Sequence, residues 1–106
     1  MTLDEILEQI KRAETIVILT HESPDGDAIG SSLAMSLAIK GLGKNADVII
    51  PEVPRIFAFL PEAENIKKES DIKEYDLAIS LDCATFKRLA QNEYFENAKN
   101  KIVIDH

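Results

Sequence analysis

Thr15-Ile16-Val17-Ile18-Leu19-Thr20-His21-Glu22-Ser23-Pro24-Asp25-Gly26-Asp27 is the stretch that decides the fold. Residues 15–20 are short, apolar and β-branched, which suits a strand buried on both faces. The next seven residues form a turn-rich loop around Pro24-Asp25-Gly26. From Ala28 a run of small and apolar residues reaches Leu42, with Gly43 as a C-terminal stop. That pattern predicts a well-buried helix over 28–42.

Working outward, Thr2-Leu3-Asp4-Glu5 matches a capping box, and Leu3, Ile6, Leu7 and Ile10 repeat at helical spacing, predicting a first helix over 3–12. Residues 46–50 predict a second strand closed by Pro51, 77–81 a third ended by Asp82, and 102–104 a fourth. Residues 86–98 predict a helix. The apolar segment 54–61 predicts a short helical turn to which no function is assigned. Strands alternating with helices imply an α/β class: a parallel, twisted sheet with helices on both faces and right-handed crossovers. The strands are expected to end at Thr20, Ile50, Leu81 and Ile104.

At 106 residues the sequence is one domain at most, and 45% apolar with 29% charged residues fits an ordinary globular protein. The single cysteine, Cys83, excludes an internal disulfide and points to a reducing compartment, the cytoplasm. Residues 1–10 do not have the basic-then-apolar pattern of a signal peptide, and no apolar stretch is long enough for a membrane span. Twelve basic residues against 19 acidic ones give a formal charge of −7, a poor electrostatic match for a long polyanion.

The polar residues fall where a site is expected. His21 follows one apolar strand, Asp82 another and Asp105-His106 a third, while Asp25 and Asp27 occupy the loop after the first. Open parallel sheets bind ligands beyond the carboxyl ends of their strands. Clustered carboxylates need a shared proton or cations to offset their repulsion. Mixed imidazole and carboxylate donors suit divalent first-row metals, and a bridging carboxylate suits a pair of them about 3.5–4 Å apart. Each residue also has an ordinary role. Asp25 and Gly26 are common turn residues, Asp27 and Asp82 are common helix caps, and a histidine at a strand end is more often packed than ligating. Their coincidence at one sheet edge favours the site.

Residues 20–31, Thr-His-Glu-Ser-Pro-Asp-Gly-Asp-Ala-Ile-Gly-Ser, resemble the first motif of the DHH phosphoesterases. Leu81-Asp82-Cys83-Ala84 resembles the second, and Ile104-Asp105-His106 the opening of the third. Within that family the sequence is most similar to the bacterial nanoRNA and phosphoadenosine-phosphate phosphatases, including its segment Phe57-Ala58-Phe59-Leu60-Pro61. The resemblance implies a Rossmann-like DHH domain with residues 1–106 as its N-terminal part. The second signature histidine, a fourth motif and a C-terminal substrate-binding domain would then lie beyond His106, and these residues alone are expected to be inactive.

The resemblance also implies roles. His21 and Asp25 would hold one manganese ion and Asp27 and His106 the other, with Mg2+ or Co2+ as substitutes. Asp82 would bridge both, and Asp105 would orient its histidine neighbours. Asp82, Asp105 and His106 are thus the expected catalytic residues. Independently of the resemblance, position alone suggests that backbone amides near Gly30, opening the second helix, would add a positive end near the site. The expected substrate is a short RNA or DNA oligonucleotide or a phosphorylated nucleotide, with a homodimer and no membrane as the expected setting. Other branches of the family act on pyrophosphate, cyclic dinucleotides or longer single strands. Two further classes compete: a metal-free phosphate-binding module, which would survive a chelator, and a purely structural α/β domain.

Overall fold

The computed structural model describes residues 2–20, 26–81 and 92–104. Helix α1 spans Leu3–Arg12, as its capping pattern predicts. The Glu5 amide donates to Thr2 Oγ1 at 3.2 Å, and the Thr2 hydroxyl donates to the Glu5 carboxylate. Only part of its apolar stripe is inside: Ile10 is buried, Ile6 and Leu7 are half-buried, and Leu3 is exposed.

Strands β1 (Ile16–Leu19), β2 (Asp47–Ile49), β3 (Leu77–Leu81) and β4 (Asn100–Ile104) form one sheet in the order β2-β1-β3-β4. Every pairing is parallel, with Leu19 beside Ile49 and Ser80, and Leu81 beside Ile104. All four residues of β1 are buried, and the period of two divides them between two cores. Ile16 and Ile18 join Ile79, Leu81 and Ile102 under α1 and helix α2 (Gly26–Gly41), where Ile10, Ile29, Leu33 and Ile39 pack. Val17 and Leu19 join Ala78 and Tyr75 on the other face, under Phe95 of helix α3 (Glu93–Asn97). Each fully buried isoleucine or leucine contributes roughly 1.5–3 kcal/mol. Two-sided burial therefore explains why the uninterrupted apolar runs at 16–19 and 77–81 are the central strands.

Several boundaries differ from the sequence-based expectation. Strands β1 and β2 each end one residue early, at Leu19 and Ile49. Strand β4 starts two residues earlier than its apolar run, because at a sheet edge Asn100 and Lys101 can pair through their backbone while their side chains remain exposed. The helix predicted over 86–98 is helical only over Glu93–Asn97 among the described residues. Asn92 is extended and caps it, accepting from the amides of Tyr94 and Phe95; residues 86–91 lie outside the described residues. Helix α2 begins at Gly26 rather than Ala28, and Ala34, Leu37 and Ala38 are exposed, so it is buried on one face only. Its stop is as expected: Gly43 has φ +81° while Lys44 and Gly43 donate to the carbonyls of Ile39 and Lys40, a Schellman ending.

Lys67 closes the outer edge of β2. Its amide donates to the Val48 carbonyl and its carbonyl accepts from Ile50, so its backbone covers the outer edge of β2, while its ammonium pairs with Asp47 at 2.9 Å. Segment 54–61 contains a 3₁₀ turn, Arg55–Phe57, with Phe57 and Leu60 packed on the core beneath α2.

Candidate metal centre

The topology brings the motif-bearing strands together. Strands β1, β3 and β4 are consecutive and parallel, so Leu19, Leu81 and Ile104 finish at the same edge of the sheet. Adjacent strands lie about 4.8 Å apart, which sets the three ends within roughly 10 Å of one another. His21 follows the first end by two residues, Asp82 the second by one, and Asp105 and His106 the third by one and two. Helix α2 packs on β1, β2 and β3 and starts with Gly26-Asp27.

Of the expected ligands, Asp27 is described. It lies in the first turn of α2 and is exposed, inside the helix rather than at a cap position. Its carboxylate favours the positive end of the helix dipole. His21, Asp25, Asp82, Asp105 and His106 lie outside the described residues. Among the described residues no group of three His, Cys, Asp or Glu side chains could hold a metal ion. Gly30 falls in the second turn of α2, whose first described residue is Gly26.

Two features of this edge were not anticipated from sequence. Thr20 Oγ1 and Ser80 Oγ are buried, and neither has a hydrogen-bond partner among the described residues. A buried hydroxyl left unpaired costs ~1–3 kcal/mol. The third buried hydroxyl of this kind, Ser32, donates to the Ala28 carbonyl at 2.8 Å. The two orphaned hydroxyls adjoin the segments that carry His21 and Asp82, which suits an edge built to take polar contents. With oxygen and imidazole donors and no thiolate set, the expected ligands fit manganese or magnesium better than a structural zinc. The second feature is Phe57: a Cβ at Gly26 would lie 3.1 Å from its ring, so the previously unassigned segment 54–61 braces the start of α2. An aromatic residue in an apolar run gave no sequence signal for that contact.

Two clefts among the described residues lie away from this edge. One of about 240 Å³ is lined by Lys40, Asp47, Glu62 and Lys67, and one of about 160 Å³ by Arg12, Asp76 and Lys99. Lys40 pairs with Glu62 and Lys67 with Asp47; Arg12 pairs with Glu8 and Lys99 with Asp76. Their cations are engaged in ion pairs with neighbouring carboxylates.

Comparison with known proteins decides the family. The profile described as DHH family, N-terminal domain, matches residues 15–106. The chain belongs to the DHH family. Its DHH domain is 48% identical over 60 residues to the bifunctional oligoribonuclease and PAP phosphatase NrnA of Thermus thermophilus, covering 56% of this chain and 18% of that protein. It is 26% identical over 113 residues to the cyclic-di-AMP phosphodiesterase PdeA of Listeria monocytogenes, covering 93% of this chain and 17% of the relative. Among solved structures, an exopolyphosphatase-related protein from Bacteroides fragilis superposes with a TM-score of 0.83 at 32% identity, over 97% of this chain and 34% of that one. The chain therefore spans less than a fifth of the curated relatives and a third of the solved one. The similarity to NrnA agrees with the resemblance to nanoRNA and phosphoadenosine-phosphate phosphatases. Among the described residues no helix is long and apolar enough to cross a membrane.

Proposed function

We propose that the protein carrying this domain is a metal-dependent phosphoesterase acting on short oligonucleotides or nucleoside bisphosphates. The observation that carries the proposal is the alignment of three motif-bearing strand ends at one edge of a parallel sheet. The names of the relatives, an oligoribonuclease and PAP phosphatase, a cyclic-di-AMP phosphodiesterase and an exopolyphosphatase-related protein, support the reaction class. The formal charge of −7 favours a short substrate over a long polyanion.

In this reading His21, Asp25, Asp27, Asp82 and His106 would hold two divalent cations, with Asp82 as the ligand common to both. When bound, such a pair lowers the pKa of a shared water and clamps phosphoryl oxygens. Asp105 would serve to orient its histidine neighbour, as carboxylates beside ligating histidines commonly do. Asp27, on the first turn of α2, contributes its carboxylate from a rigid element. Manganese is the expected ion in a reducing cytoplasm, and homodimerisation is part of the same proposal.

The test is an assay of the full-length gene product with manganese. The panel is short RNA, a nucleoside 3′,5′-bisphosphate, cyclic-di-AMP and pyrophosphate. Chelator-sensitive release of phosphate or mononucleotide from the first two is expected. Phosphate binding that survives a chelator, with no turnover of any member, would leave a binding module instead.

A further inference from the structure

The backbone does not require glycine at position 26. Gly26 opens α2 in a helical rather than a left-handed conformation, where alanine is the better former. What stands against a side chain is a neighbour: a Cβ there would lie 3.1 Å from Cε1 and 3.3 Å from Cζ of Phe57. At Gly30 and Gly41, on the same helix, a Cβ would meet nothing within 4 Å. The ring is held from behind. Phe57 closes a 3₁₀ turn, its amide donating to the Pro54 carbonyl at 3.0 Å and its carbonyl accepting from Leu60 at 3.1 Å, and its side chain packs on the core. The same segment is also tied to the far end of α2. Glu62, left-handed at φ +70°, accepts from Lys40 at 3.3 Å and from Asn65. A residue other than glycine keeps that conformation only where its surroundings impose it. Residues 54–62 thus engage α2 at both ends, at Gly26 and at Lys40.

We propose that Phe57 is a positioning residue for Asp27. Asp27 follows Gly26 directly and is exposed on the first turn of α2, so its carboxylate stands where the start of the helix puts it. The ring of Phe57 fixes that start. The inference rests on the reading of Asp27 as a metal ligand. A donor carried on a packed element is ordered before the cation arrives, and a small shift of the element moves the donor with it.

The contact allows a swap that separates positioning from packing alone. In the full-length protein, Gly26→Ala overfills it and Phe57→Leu underfills it. Each should weaken binding of the Asp27-dependent manganese ion ~10-fold or more, the scale on which a ligand's supporting neighbours act. Calorimetry reads that affinity and the stoichiometry without recourse to turnover. The double variant exchanges volume between the two sides and should bind closer to wild type than either single variant. Gly41→Ala adds the same methyl group to the same helix in open space and should leave affinity unchanged. A wild type that binds no manganese, or an Asp27→Ala variant that keeps both ions, would overturn the reading of Asp27 as a ligand and the proposal with it. If Asp27→Ala loses an ion while Gly26→Ala and Phe57→Leu bind as tightly as wild type, the positioning role alone is wrong. A double variant weaker than both singles would also overturn it, because two independent losses would simply add.

Discussion

The two edges of the sheet are built on opposite plans. At the amino edge Asp76 ties the starts of β1 and β3 together. The Asp76 carboxylate accepts from the amides of Glu14 and Thr15 at 2.8 and 3.4 Å, and the Asp76 amide donates to Thr15 Oγ1 at 2.9 Å. Lys99 lies 3.6 Å from the same carboxylate, and Lys44 donates to the Ala13 carbonyl. At the carboxyl edge the hydroxyls of Thr20 and Ser80 are buried without partners among the described residues. The residues just beyond carry most of the expected ligands. One edge uses its polar groups to join β1 to β3; at the other, two buried hydroxyls lack a partner among the described residues.

Substitution at either edge should break that symmetry in opposite senses. Asp82→Ala should have the largest effect: turnover falling more than about 100-fold, beyond what loss of an outer partner costs, with both cations weakened. Asp27→Ala should remove mainly one. Manganese stoichiometry and phosphoesterase rate measured on the same preparations distinguish the two; near-normal turnover and two bound ions in Asp82→Ala would end the bridging assignment. If Asp82→Ala proved unstable, Asp82→Asn would carry the same test.

At the amino edge, Asp76→Ala should lower the unfolding temperature while leaving the turnover of the folded enzyme intact. The amides of Glu14 and Thr15, with Lys99 beside them, hold the Asp76 carboxyl below its ordinary range against the opposing effect of desolvation. A carboxyl lowered on folding stabilises above its unfolded pKa and loses that contribution as pH falls through the folded value. The gap in unfolding temperature between wild type and Asp76→Ala should therefore be full at neutral pH and close in acid. A gap unchanged at low pH would show that the charge is not what matters.

A smaller change sharpens the comparison away from either edge. Gly43 holds φ +81° at the end of α2 with open space around it, so Gly43→Ala meets no clash and only backbone strain. A loss of about 1 kcal/mol is expected from denaturant unfolding, with metal affinity unaltered.

The legible parts of the fold are those where one local signal is strong. Helix α1 has its expected bounds because Thr2 caps it, and β3 because acidic residues flank five buried ones. Strand β4 was harder, since at an edge polar Asn100 and Lys101 extend the ladder without joining the core. Over the described part of 86–98 the helix is shorter than its composition suggests, because Asn92 is extended and caps the turn that starts at Glu93. For the site, the order of strands and acids was enough to propose an edge. Ser80 was not legible: a serine in Leu77-Ala78-Ile79-Ser80-Leu81 passes for a small core residue until its oxygen is seen to lack a partner. Nor was the contact of Phe57 with the start of α2, which joins positions 31 residues apart.

The pleat of β1 works as a reading frame. Ile16 and Ile18 belong to one core and Val17 and Leu19 to the other, with no exposed position among the four to absorb a slip. Inserting or deleting a single residue there would exchange the two sets and send each side chain into the cavity shaped for its neighbour. Substitutions of similar size can be accommodated in such a strand; changes of length cannot. The distance in residues between Thr15, tied at one edge, and the loop that starts at the other is therefore a conserved quantity of the fold in the mechanical sense, set by the sheet before any ligand is considered.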